Sequence, residues 1–285
     1  MDFTINTYRK LLEALIAQGY SFQTFADFLI QPQPHSVILR HDVEAKYDNS
    51  LAFAKIQHDF QIRGTYYFRF LPYHFSTEII QQIASLGHET GYHYDDLSNC
   101  KGDYDKAIRR FEKNLATLRE IAEVKTICME GAPLSKWDNR DLWRQGDRGT
   151  GRQRDEGTGG DFSFHASRFT PHYSDYGIIG EPYFDLDFSK ILYLTDTGRR
   201  WDGKASVRDK VGQLDNINSK FKIQNSKFHS TSDIIIAANR GLLPDQIMLT
   251  FHPQRWTDKP LPWLQELVLQ NVKNVVKRIV LRFQG

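Results

Sequence analysis

The chain has 285 residues, 40% of them apolar and 25% charged, and a formal net charge of +2. That length suits a single α/β barrel with a full core, and the small net charge argues against a nucleic-acid partner or a strong field toward a membrane surface. Two cysteines, Cys100 and Cys128, are too few for a disulfide framework and lack metal-ligand spacing. With no secretory pattern at the N-terminus and no run of about eighteen apolar residues, a cytoplasmic protein without a membrane span is expected.

In chain order, Tyr8, Leu11, Leu12, Leu15 and Ile16 have the three-four spacing of an amphipathic helix, with Gly19 as its stop. Phe22 to Leu29 reads as a second short helix. Pro32 and Pro34 precede the first clear strand, Ser36 to Asp42, whose continuous apolar run predicts cover on both faces. A helix around Leu51 to Phe60 leads through Gly64 to a strand at Thr65 to Phe68. A helix over Thr77 to Ser85 and a strand near Glu89 to Tyr94 follow. Asp103 caps a helix through Ile121, and Val124 to Met129 is the fourth strand. Gly177 to Phe184, Ile191 to Thr195 and Gln246 to His252 are further strand candidates, and a last helix runs from about Leu261 to Leu281.

This alternation is that of βα units with right-handed crossovers. It predicts an α/β fold, an irregular (β/α) barrel of about seven parallel strands spanning residues 1–285 as one domain. A doubly wound open sheet would give a similar pattern. Two stretches break the rhythm. Residues 146–161 hold six glycines among charged residues, and Asn218-Ser219-Lys220-Phe221 recurs at Asn225-Ser226-Lys227-Phe228. Both 146–161 and 216–230 are expected to be mobile loop insertions.

Three strand ends carry the groups suited to chemistry. In Arg40-His41-Asp42-Val43-Glu44, side-chain alternation places Arg40, Asp42 and Glu44 on one face and His41 and Val43 on the other. Carboxylates at the carboxyl end of a parallel strand can hold a metal or accept a proton, or can serve as a helix cap or an ion-pair partner. In Gly87-His88-Glu89-Thr90-Gly91-Tyr92-His93, the two histidines fall on opposite faces. His93 is nearer the strand end and suits a metal, whereas His88 reads as a structural histidine. His252, in Thr250-Phe251-His252-Pro253, stands at a third strand end as a ligand or general acid. No phosphate-binding loop and no nucleophile elbow is present.

Taken together, these three segments resemble the polysaccharide deacetylase superfamily, over residues 36 to 256. The resemblance implies an irregular (β/α) barrel, a divalent metal such as zinc, and removal of an acetyl group from an N-acetylated sugar or polysaccharide. It implies Asp42 as general base, Glu44 and His93 as metal ligands with Asp42, and His252 as general acid. Val43 stands where the family has a metal-binding aspartate, and Leu97 where it has a second histidine, so Glu44 is the substitute carboxylate and Glu130 a further candidate ligand. Substrate contacts are expected from Arg40, Arg199, Arg255 and Trp256, with Trp137 and Trp201 in segments suited to sugar stacking. The rival readings are a carbohydrate-binding relative that has lost activity, and a C–N amidase of the same fold acting on small molecules.

Overall fold

The computed structural model describes residues 1–71, 75–144, 171–203 and 228–284, the last eight of these as backbone only. Seven strands, β1 (Ser21–Gln23), β2 (Ser36–Val43), β3 (Thr65–Phe68), β4 (Glu89–Tyr94), β5 (Val124–Met129), β6 (Leu192–Thr195) and β7 (Gln246–Phe251), form one sheet. Every pairing between them is parallel, and the order is β5-β4-β3-β2-β7-β6. The strand β1 pairs with Ser36–Ile38 of β2, and β3 takes over the same edge from Arg40 onward. On the other edge, β7 runs beside β2 from Ser36 to His41.

The helices α1 (Ile5–Ala17), α2 (Phe25–Ile30), α3 (Tyr47–Asp59), α4 (Thr77–Ser85), α5 (Asp96–Asn99), α6 (Tyr104–Arg119), α7 (Asp141–Arg144), α8 (Pro182–Asp185), α9 (Thr231–Asn239) and α10 (Pro260–Gln284) surround it. Their starts follow the side-chain caps written in the sequence. Thr4, Thr24, Ser76, Asp103 and Ser230 each accept a hydrogen bond from a backbone N–H in the first turn of the helix they precede. The apolar stripe of α1 is buried through Tyr8, Leu11, Leu12 and Leu15. Gly19, at φ 80°, turns the chain where a side chain would be strained. All eight residues of β2 are buried, as its unbroken apolar run predicts.

The expected α/β class and the count of seven strands hold, but one strand differs. Gly177 to Phe184 is not a strand. Gly177, at φ 69°, caps a 3-10 turn, Tyr173–Tyr176, and Glu181 and Pro182 start α8. Only Gly180 bridges the sheet, beside Thr126 of β5. The seventh strand is β1, three residues long and too short to show alternation. Among the described residues no backbone ladder joins β5 to β6. That gap is spanned at Gly180 and by Tyr183 of α8, whose hydroxyl lies 3.4 Å from that of Tyr193 on β6. Residues 146–161 lie outside the described residues. Of 216–230 only 228–230 are described: Phe228 is buried and Ser230 caps α9. No described helix is long and apolar enough to cross a membrane.

Candidate active site

Six consecutive strands of the chain are each followed at once by a titratable residue: Glu44 after β2, Arg69 after β3, Asp95 after β4, Glu130 after β5, Asp196 after β6 and His252 after β7. Parallel strands bring these positions to one end of the sheet, where ligands bind in α/β folds. A cavity of about 410 Å³ opens there, lined at its polar end by Asp42, Glu44, His93, Glu130 and His252. Arg255, Thr197, Gly198, Pro133 and Leu134 also line it, and α10 lies across it with Gln270, Val272, Lys273, Asn274 and Val276.

Strand alternation sets the two faces of β2 as expected. His41 points into the core, where its Nδ1–H donates to the Thr65 carbonyl at 3.0 Å and its Nε2 accepts from Gln57 at 2.9 Å. Burial holds it far below the usual histidine range, at about 3, so it is a neutral structural group. On the opposite face, the buried Arg40 guanidinium grips both oxygens of Asp42, Nε to Oδ1 at 2.8 Å and Nη2 to Oδ2 at 2.7 Å. Burial opposes the Asp42 anion, but Arg40 outweighs it and holds the carboxyl below its ordinary value. Arg40 in turn donates to the Tyr183 hydroxyl at 3.0 Å.

His93 enters the cavity from β4. Its Nδ1–H donates to the Cys128 carbonyl at 3.0 Å, which turns Nε2 toward Glu130 Oε2 at 3.1 Å and Asp42 Oδ2 at 3.8 Å. Burial alone would lower the imidazole; Asp42 and Glu130 reverse that and raise it to about 9. Burial, followed by the neighbouring Glu130, pushes Glu44 up to about 7. Two sets of donor atoms lie within 4.8 Å of one another: Glu44, His93 and Glu130, and Asp42, His93 and Cys128. The first set opens on the cavity. In the second, Cys128 is fully buried and absent from the lining, and Arg40 engages both Asp42 oxygens. An imidazole with two crowded carboxylates is a donor set for a borderline or hard divalent ion, so the residues present fit a metal. Of the expected ligands Asp42, Glu44 and His93, the geometry groups the last two with Glu130. Leu97 is buried in the core on α5 and offers no donor.

Across the cavity, His252 Nδ1 lies 2.5 Å from Asp196 Oδ1, and its backbone N–H donates to Asp196 Oδ2 at 3.0 Å. The Asp196 carboxyl is fully buried and also accepts from the Trp256 indole at 2.7 Å and from Arg255 at 3.1 Å. Burial and Arg255 disfavour a charged His252, but Asp196 and Glu44 prevail and raise its pKa. Its Nε2 faces Glu44 Oε1 at 3.8 Å.

Asp42, Glu44, His93, His252 and Arg255 therefore meet at one cavity; Arg40, Arg199 and Trp256 do not line it. Arg40 lies beneath Asp42. Trp256 is fully buried among Phe3, Tyr8 and Phe251 and holds Asp196. Arg199 is packed over Phe3 at 4.7 Å and Trp263 at 4.9 Å, although Thr197 and Gly198 of its loop do reach the lining. Trp201 is buried and donates to Thr231, and Trp137 packs against Gly102. No tryptophan lines the cavity among the described residues. His88 is structural as expected: its Nε2–H donates to the Ala54 carbonyl at 2.9 Å and its Nδ1 accepts from Gly64 at 3.2 Å. Asp196 was missed as a site residue. Its only signal in the sequence is its place directly after an apolar strand.

No family model matches the chain, and no curated protein matches it. Among solved structures, it is similar to a Streptococcus mutans CE4 esterase, at 10% identity and a TM-score of 0.41, over 95% of this chain and 91% of that chain.

Proposed function

We propose that the chain is a metal-assisted hydrolase that removes an acetyl group from an N-acetylated sugar. The observation that carries this reading is the pairing of two supported proton-transfer groups, Arg40-held Asp42 and Asp196-held His252, in the lining of one cavity with the Glu44, His93 and Glu130 cluster. The motif resemblance around Asp42, His93 and His252 agrees with it.

Glu44, His93 and Glu130 would hold the ion, with zinc the ion best suited to an imidazole and carboxylates. When bound, such an ion supplies polarisation of the acyl carbonyl and acidification of water. The chain's own residues do the rest. Asp42 is ionised because Arg40 holds its pKa down, so it can take a proton from the attacking water. Asp196 favours the protonated form of His252, so it can deliver a proton to the leaving amine from Nε2 while Nδ1 stays committed. The buried Asp196 keeps that tautomer and orientation, as a carboxylate behind a catalytic histidine does. Pro133, Leu134, Val272 and Val276 supply an apolar wall for a methyl group or a sugar face.

One observation favours a second reading, a C–N amidase acting on a small molecule. The cavity is of small-molecule size and its described lining lacks the tryptophan platform common in glycan grooves. Acetate release from mono- and oligosaccharides of N-acetylglucosamine, measured with elemental analysis of the purified protein, tests both. Metal bound at one ion per chain and acetate release reduced by about 10²–10⁴-fold in Asp42→Asn are expected. Full release in that variant would overturn the assignment of the base. Release from small amides alone would select the second reading.

A further inference from the structure

One side of the cavity carries charge that the hydrolytic chemistry does not use. At the polar end each carboxylate has a basic neighbour of its own. Asp42 is gripped by Arg40, Glu130 meets His93 at 3.1 Å, and Glu44 faces His252 at 3.8 Å. Arg255 and Lys273 of α10 also line the cavity. Lys273 is exposed and forms no ion pair or hydrogen bond among the described residues. Arg255 gives only Nη1 to Asp196, at 3.0 and 3.1 Å, and its Nε and Nη2 have no hydrogen-bond partner among the described residues.

Two hydrogen bonds tie these cations to one loop. Asn274, next to Lys273, donates to the Gly198 carbonyl at 3.1 Å, and Arg199 Nη1 donates to the Arg255 carbonyl at 3.2 Å. Thr197 and Gly198 of that loop lie in the cavity lining. Arg255 is also fixed to His252. Its backbone N–H donates to the His252 carbonyl at 2.9 Å, and the two side chains share the Asp196 carboxylate. The guanidinium therefore stands beside the group that would meet the leaving amine.

Charge and position together define a ligand class. A cleft with surplus positive charge concentrates anions. A guanidinium fork with an ammonium point charge suits a phosphate, whose monoester carries about two negative charges at neutral pH. A carboxylate would answer only one of the two cations. The ring substituent nearest an acetamido nitrogen is the one on the adjacent carbon, and Arg255 sits next to the nitrogen's proton donor. We propose, resting on the deacetylase reading of the cavity, that the substrate is an N-acetylated sugar phosphate. Its phosphate is on the ring carbon next to the acetamido group, is bound by Arg255 and Lys273, and stays on the sugar when acetate leaves.

Four ligands are titrated calorimetrically into the metal-loaded protein: N-acetylglucosamine, its 1-phosphate, its uridine diphosphate ester, and N-acetylmuramic acid, whose acid group is a carboxylate. The 1-phosphate should bind about tenfold or more tighter than the neutral sugar, as charged hydrogen-bond partners imply, and salt should narrow the gap. Lys273→Met should remove most of that advantage and Lys273→Glu all of it. Both replacements are good helix formers at an exposed position, and the neutral sugar in the same variant corrects for any loss of fold or ion. Tight binding of the uridine diphosphate ester extends the site to phosphodiesters; weak binding confines it to the monoester. An advantage undiminished in Lys273→Glu assigns the phosphate to the ion and overturns the proposal. Equal affinity for the 1-phosphate and the neutral sugar overturns it too, as does a preference for N-acetylmuramic acid alone. Acetate release is followed on the same ligands. A phosphate preference without acetate release leaves the phosphate subsite standing and removes the deacetylase reading, and release without the preference does the reverse.

Discussion

Arg40 and Asp42, two residues apart on one face of β2, form a two-pronged ion pair that is almost wholly buried, at 2.7 and 2.8 Å. The pair fixes the carboxylate's orientation and its charge state together. Asp42→Asn therefore removes more than a base. It leaves a buried guanidinium without its counter-charge, a change that costs ~3–5 kcal/mol in comparable pairs. The expected outcome is a folded but less stable protein whose turnover falls by about 10²–10⁴-fold. Arg40→Met should raise the Asp42 pKa, since burial then acts unopposed by the cation. The acidic limb of the kcat/KM profile moves to higher pH, and an unmoved limb would show that Asp42 is not the titrating base.

Glu130 and His93 meet at 3.1 Å, and Glu44 completes their group. Glu130→Gln keeps the shape and removes a negative ligand. Metal affinity should fall by at least the ~10–100-fold that outer partners of such sites are worth. Cys128→Ser tests the rival group, Asp42, His93 and Cys128. It should leave affinity unchanged, because the thiol is buried away from the cavity. Calorimetric titration of the metal-stripped proteins with zinc measures both. A large loss in Cys128→Ser with none in Glu130→Gln would transfer the site to the deeper group.

Much of this was legible in the sequence because strands write their faces plainly. The two-residue period of β2 separates His41 from Asp42, and five residues separate His88 from His93, so each pair splits between core and cavity as period two requires. What one strand does not encode is its neighbour across the sheet. Glu130 lies 37 residues beyond His93 in the chain but one strand away in space, directly after β5, which pairs with β4. Asp196 and His252 are 56 residues apart and meet because β6 pairs with β7. Arginine and tryptophan near a strand end suggest substrate contact, yet Arg199 and Trp256 were drawn inward. The indole and the guanidinium found partners in the buried Asp196 and Phe3 and the half-buried Trp263.

His252 and Asp196 set a pH dependence with a definite sign. Asp196 helps to keep His252 protonated, so Asp196→Asn lowers the histidine pKa. The alkaline limb of kcat/KM should move to lower pH, and the variant should lose more rate near pH ~8 than near pH ~6. Stability responds at the other end of the scale. Burial would raise Asp196, but His252 and Arg255 bring it down to about 2. A depressed carboxyl contributes stability that is present above its unfolded value of ~3.9 and is lost as pH falls through the folded value. The destabilisation caused by Asp196→Asn should therefore be largest near neutrality and shrink toward pH ~2. Denaturant melts across that range check it; a pH-independent difference would mean that the pair is held by packing alone.

Gly91 links the sheet to the site. A Cβ there would lie 2.5 Å from two carbons of the Tyr67 ring and 2.8 Å from the Thr126 carbonyl oxygen. Neither neighbour can yield freely. The Tyr67 hydroxyl is bonded to Thr126 Oγ1 at 3.0 Å, and Thr126 donates to the half-buried Glu89 carboxylate. A methyl group must push β4 away from β3 or from β5, at ~1–3 kcal/mol for overpacking of this kind. His93 follows two residues later on the same strand, so the displacement also reaches the metal cluster. Gly91→Ala should lower Tm by several degrees and weaken zinc binding in the same protein. Thermal melts with and without zinc measure both effects, since bound metal adds its own stabilisation to the folded state. A variant that melts lower yet gains the same increment from zinc would show that β4 absorbs the methyl group before the strain reaches His93.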